Sequence, residues 1–115
     1  MESNCIFCKI VNGEIPSKKV YEDEKVAAFY DIEPQAPVHV LIIPKEHFLS
    51  TLDLSENTAC VVGSMVLAAN KIAKELGVDE SGFRLIMNTG RDAGQTVPHL
   101  HMHLTGGRQF GWPAG

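Results

Sequence analysis

Between Pro98 and Leu104 the chain reads Pro-His-Leu-His-Met-His-Leu, placing His99, His101 and His103 at every second position. Period-two alternation is the mark of a strand, in which neighbouring side chains leave on opposite faces. Leu100, Met102 and Leu104 then line one face and all three imidazoles line the other. Same-face neighbours on a strand are roughly 7 Å apart. Protonating the three rings together would therefore set like charges against one another. The pattern points to neutral imidazoles that offer lone pairs, for nucleophilic attack or for a metal. This run is the functional centre of the chain.

The rest of the pattern sets the fold class. Residues 6–11 read as a short helix or turn, closed by Asn12-Gly13 and Pro16. Val20 to Glu22 and Lys25 to Tyr30 read as a hairpin across Asp23-Glu24. Two prolines, Pro34 and Pro37, keep 31–37 out of a central strand. Val38 to Ile43 is a strong strand ended by Pro44. Ser55 is placed to cap one long helix running to about Leu76, with Val62, Val66, Ala69, Ala73 and Leu76 as its apolar stripe. Cys60 in that helix reads as a small buried residue, and Gly77 as its left-handed stop. Phe83 to Met87 is a further strand, and 88–96 is a polar loop that runs into the histidines. Strands outnumber helices and the hairpin implies antiparallel pairing, so the class is α+β. A chain of 115 residues fits one domain around one core.

A net charge of −4 argues against a nucleic-acid coat or a basic membrane-binding surface. No apolar run approaches a membrane span, and Met1 to Cys5 carries no basic-then-apolar leader, so the expected location is cytoplasmic. Cys5 and Cys8 form a C-x-x-C pair, which in a reducing compartment means metal, redox chemistry or nothing. In the loop before the histidines, Gly94 allows backbone amides to approach an anion, Gln95 and Thr96 add donors, and Asn88 borders the same space. Donors grouped around an imidazole suit a phosphoryl group, whose transition state spreads negative charge over its oxygens.

The run His99-Leu100-His101-Met102-His103-Leu104 resembles the histidine triad motif, in which histidine alternates with hydrophobic residues. The likeness extends through Cys5-Ile6-Phe7-Cys8-Lys9-Ile10, Gly13-Glu14-Ile15-Pro16, His39-Val40-Leu41-Ile42-Ile43-Pro44-Lys45, and Gly106-Gly107-Arg108-Gln109 with Trp112-Pro113. Together these segments are similar to the Hint branch of the histidine triad (HIT) nucleotide-binding proteins. The resemblance implies a single HIT domain over residues 1–115: a five-stranded antiparallel sheet with one long helix and a short N-terminal helix. It implies a homodimer whose sheets join, a purine nucleotide site, and hydrolysis of nucleoside 5′-phosphoramidates. By the same resemblance His101 is the nucleophile, forming a nucleotidyl-histidine that water resolves. His103 lies near the phosphate and leaving group, His39 is a further active-site histidine, and Thr96 keeps a hydroxyl that helps the leaving amine. Asn88, Gly94 and Gln95 match phosphate positions, Asp31 the carboxylate that holds the ribose, and Ile6, Phe7, Phe29 and Ile32 the walls around the base. Trp112 belongs to a tail that reaches the partner's site in the family.

Some family members also bind a structural zinc, and the matching positions are Cys5, Cys8, His47 and His99. Two thiolates and two imidazoles make a closed tetrahedral site of the kind structural zinc prefers. No organic cofactor is implied. Two positions depart from the family pattern: Thr105 replaces the last hydrophobic residue of the motif, read as the strand's end, and Gly111 replaces a larger side chain, which bears on leaving-group preference. Three rival readings stand beside this one: a nucleotide-binding regulatory module with incidental hydrolysis, a metal-dependent hydrolase ligated by His99, His101 and His103, and a dinucleoside polyphosphate hydrolase.

Overall fold

A computed structural model of the chain describes residues 4–115. Its elements, in chain order, are α1 (Ile6–Val11), β1 (Lys19–Glu22), β2 (Val26–Tyr30), β3 (Val38–Pro44), a 3-10 turn (Thr51–Asp53), α2 (Cys60–Glu75), β4 (Phe83–Ile86) and β5 (Met102–Gly106). The strands form one antiparallel sheet in the order β1-β2-β3-β5-β4. This is the expected α+β arrangement of five strands, one long helix and one short one.

The β1–β2 hairpin closes on Asp23, whose carboxylate accepts the N–H groups of Lys25 and Val26 at 2.8 and 2.9 Å. Asp side chains favour turns because they offer the backbone such a local partner. β3 occupies the sheet centre and is buried along nearly its full length, because both of its faces are covered. Val40 and Ile42 pack with Val26, Ala28 and α2, whereas Leu41 and Ile43 pack with Ala27, Phe29 and α1. β5 follows the same alternation. Leu100, Met102 and Leu104 join the α2 side, and the imidazoles face the α1 side.

Regular pairing of the histidine strand starts later than the alternation suggests, at Met102. Pro98 has no N–H to give, His99 N–H bonds Val97 O at 2.8 Å, and Leu100 N–H bonds Phe48 O at 2.7 Å. The backbone donors that would extend the ladder are spent elsewhere. Thr105, read as the strand's end, lies inside β5, buried and paired with His39 and Arg84.

The long helix also starts later than Ser55. Ser55 N–H bonds Thr58 Oγ1 at 2.8 Å, and three-residue backbone bonds run from Ser55 to Val62, so 55–59 is a succession of turns. Ser and Thr compete locally with the helical ladder in this way. The buried stripe is Met65, Ala68, Ala69, Ile72 and Ala73; Val62, Val66 and Leu76 flank it half-buried, and Cys60 is exposed on the first turn rather than buried. At the other end Gly77 has φ +74°, with Gly77 N–H on Lys74 O and Val78 N–H on Ala73 O. That paired geometry is the Schellman stop, which glycine adopts without steric cost. Among the described residues no helix is long and apolar enough to cross a membrane.

Candidate active site

Three imidazoles and a carboxylate meet where β3 and β5 run side by side near α1. Hydrogen bonds to backbone groups determine which nitrogen of each ring carries the proton, because a carbonyl only accepts and an amide N–H only donates. His101 Nδ1 lies 2.7 Å from His99 O, so Nδ1 bears a proton, and in the neutral tautomer the lone pair is on Nε2. The ring is buried and edge-on to Phe7 and to His103, each at 5.2 Å between centroids.

His39 is set in the opposite sense. Gln35 N–H donates to His39 Nδ1 at 3.0 Å, which puts the His39 proton on Nε2. That Nε2 sits 2.9 Å from His103 Nδ1 and 3.4 Å from Asp31 Oδ2. His103 Nδ1 therefore accepts, leaving His103 with its proton on Nε2. The arrangement sets an unprotonated nitrogen on His101 beside a ring that carries a donor N–H. Burial pushes the His103 pKa down to about 4, assisted by the neighbouring charges His101 and His39 would carry and opposed by Asp31. The ring is neutral at pH 7.

This depression has a thermodynamic consequence. Between the ordinary histidine value of about 6.5 and the folded value of about 4, the unfolded chain binds the proton and the folded one does not. Stability should be full above about pH 6.5, decline as pH falls from there to about 4, and level off below. Urea midpoints should be lower at pH 5 than at pH 7; equal midpoints would contradict the buried neutral ring.

A second cluster lies behind the first. His99 Nε2 donates to Pro44 O at 3.0 Å, which leaves its Nδ1 lone pair facing Cys5 Sγ at 3.2 Å, Cys8 Sγ at 3.6 Å and His47 Nδ1 at 3.1 Å. Cys8 Sγ is 3.3 Å from His47 Nδ1, and the four donor atoms all lie within 4.8 Å of one another. Bond lengths of about 2.0–2.3 Å to zinc place tetrahedral ligand atoms roughly 3.3–3.8 Å apart, close to these separations. The donor set and its spacing fit a structural metal.

The same fit fails for Asp31, His39 and His103, although their ligand atoms also cluster. His39 Nδ1 already accepts from Gln35, so a metal at Nε2 would have to displace that ring's only proton. Nor do His99, His101 and His103 converge as ligands: the His99 lone pair belongs to the thiol cluster.

The loop before the histidines behaves differently from expectation. Gln95 spends every donor internally: its N–H on Gly90 O, and its Nε2 on Leu49 O at 2.7 Å and Val97 O at 3.0 Å. Its Oε1 accepts Gly90 N–H at 3.0 Å, and Gly94, at φ +82°, gives its N–H to Arg91 O. These two residues shape the loop and have no donor left for a phosphate. The side chains of half-buried Asn88 and exposed Thr96 make no hydrogen bond among the described residues and remain available.

The apolar wall residues divide. Phe7 and Phe29 are each 5% exposed and edge-on to one another, backing the imidazoles, whereas Ile6 and Ile32 are 46% and 94% exposed. Trp112 is 87% exposed and touches no ring of the site within the chain. Sequence reading did not find the carbonyls of His99 and Pro44 or the amide of Gln35, since backbone groups carry no residue-type signal.

A central antiparallel sheet carries imidazoles whose tautomers are set by backbone groups, beside a four-donor thiol–imidazole cluster, in a small α+β protein. The HIT domain family matches residues 12–110. The purine nucleoside phosphoramidase of Escherichia coli K12 is 50% identical over 111 residues, covering 96% of this chain and 93% of that protein. The structure of a histidine triad protein from Clostridium difficile superposes with a TM-score of 0.94 at 50% identity, covering 96% of each chain. That of the histidine triad nucleotide-binding protein from Candida albicans gives 0.82 at 39% identity, over 97% of this chain and 85% of the other. The chain belongs to the HIT family.

Proposed function

We propose that this protein hydrolyses purine nucleoside 5′-phosphoramidates, with His101 as nucleophile. The observation that carries the reading is the His101 ring itself. Its Nδ1–H is tied to His99 O, the lone pair of its neutral tautomer is on Nε2, and a donor-bearing imidazole stands alongside. The likeness to a phosphoramidase at 50% identity supports the same chemistry.

His101 Nε2 attacks phosphorus and the P–N bond breaks, giving a nucleotidyl-imidazolium whose charge is stabilised at Nδ1–H by the His99 carbonyl. The departing amine is hydrogen-bonded by His103 Nε2–H and takes its proton from water through the Thr96 hydroxyl. Water then attacks phosphorus, releasing the nucleoside monophosphate with His101 restored. His39 orients His103. Asn88 receives the phosphate, while Gly94 and Gln95 act by holding the preceding loop in shape. Asp31 receives the ribose hydroxyls, and Ile6, Ile32, Phe7 and Phe29 flank the base.

The assembly in this reading is a homodimer joined at the β4 edge, with the partner's Trp112-bearing tail approaching the site. β4 presents Phe83, Leu85 and Ile86 half-buried on an open edge, the kind of strand that proteins cover or pair. Cys5, Cys8, His47 and His99 would hold zinc, which supplies no step and ties α1, the segment after β3 and the approach to β5 together. The cytoplasm, where thiols stay reduced, is the location in this reading.

The test is steady-state release of amine and AMP from an adenosine 5′-phosphoramidate, run beside a diadenosine polyphosphate. Preferential P–N cleavage supports the proposal. Preferential polyphosphate cleavage, or tight AMP binding without turnover, would replace it with one of the rival readings.

A further inference from the structure

The turn that follows β5 is seated on the 31–37 loop by two separate contacts. Gly107 has φ +89°, and a Cβ there would lie 2.9 Å from Pro37 Cβ, so glycine alone permits the approach. Arg108 reaches from that turn to the same loop, with Nε and Nη2 both donating to Gln35 O, at 3.3 and 3.1 Å. The following residues are held as well. Phe110 lies beneath the guanidinium groups of Arg108 and Arg84, at 4.3 and 5.0 Å from its ring centre, and Arg84 on β4 donates to Gly111 O at 2.9 Å. Cations over an aromatic face attract it, so the segment is pinned between β4 and the loop.

Gln35 is the residue whose N–H occupies His39 Nδ1. One end of the residue is thus gripped by Arg108 and the other end sets a tautomer in the site. We infer that Arg108 is a positioning residue: it holds Gln35 where its N–H caps His39 Nδ1, so that His39 turns an N–H to His103 and His103 turns one toward the reacting group. The inference rests on the reading of His103 as a hydrogen-bond donor to the leaving amine given under Proposed function. Asp31, at the other end of the loop, is anchored independently by its own N–H on His39 O at 3.0 Å. Loss of Arg108 should therefore disturb departure of the amine more than nucleotide binding.

The experiment compares the full chain with Arg108→Ala, Arg108→Lys and Phe110→Leu. The readouts are the ring-nitrogen shifts of His39 and His103, exchange of the Gln35 amide, and kcat and KM for an adenosine 5′-phosphoramidate. In Arg108→Ala the Gln35 amide should exchange at least about tenfold faster and His39 Nδ1 should lose its hydrogen-bonded shift. The same variant should lose about tenfold in kcat with KM changed by less than about threefold. Lysine keeps one donor for the carbonyl and should restore most of kcat. Phe110→Leu, which leaves Arg108 in place but removes its platform, should move the same readouts less far and covers the case in which the alanine variant does not fold. Unchanged His39 shifts, or a loss confined to KM, would overturn the inference. Absence of turnover in the unmodified chain would overturn the proposed function instead, and the nitrogen shifts and amide exchange would still decide the role of Arg108.

Discussion

His101→Ala should abolish turnover of nucleoside phosphoramidates, by at least about a thousandfold, while AMP binding changes only a few-fold. The attacking lone pair exists because His99 O fixes the proton on the other nitrogen, and no neighbouring ring duplicates it. His103 turns its own lone pair to His39, and His99 turns its lone pair to the thiols. Among the described residues of the site no other ring nitrogen is left without a partner in that position. His101 is also buried against Phe7, so the alanine variant leaves a cavity; His101→Asn, which keeps more of the volume, separates lost chemistry from lost packing. Turnover and a thermal melt of both variants decide the matter. Near-normal rates in either would remove His101 from the nucleophile's role.

Paired substitution of Cys5→Ser and Cys8→Ser should produce the largest change in stability. The serines offer no thiolate, and the His99 lone pair stays buried without its partners. A structural zinc site is folding free energy. For a domain of this size each kcal/mol lost moves the melting temperature by roughly 3–6 °C, so a fall of about 10 °C or more is expected. Metal analysis should give one zinc per unmodified chain and none in the double variant, and a chelator should bring the unmodified protein toward the variant's melting temperature. Residual turnover below that temperature should persist, since no chemical step passes through the metal. A metal-free unmodified protein that is indifferent to chelation would contradict the zinc assignment.

The imidazole face was readable because a strand has an integral side-chain period: Leu100, Met102 and Leu104 on one side necessarily place His99, His101 and His103 on the other. Where the ladder begins was not readable, since that depends on Leu100 N–H finding Phe48 O, a contact across 52 residues. The helix start was misplaced for a local reason. Ser55 carries the cap chemistry, but Thr58 draws the same backbone into turns first. Cys60 was misplaced with it, because residue type says little about which side of a first turn faces out. Gln95 shows the limit most clearly: an amide beside a glycine loop suggests a phosphate donor, yet its partners are the carbonyls of Leu49 and Val97. The four thiol and imidazole donors were legible only through family resemblance, as their spacing in sequence spans 94 residues.

The most direct test of the central claim is rapid quench of the protein with an adenosine 5′-phosphoramidate bearing a chromogenic amine, followed by intact mass and peptide mapping. An early burst of amine, accompanied by one adenylyl group on the peptide containing His101 and absent from His101→Ala, is the predicted result. Adenylyl mass on another residue, or single-turnover hydrolysis undiminished in His101→Ala, would contradict it.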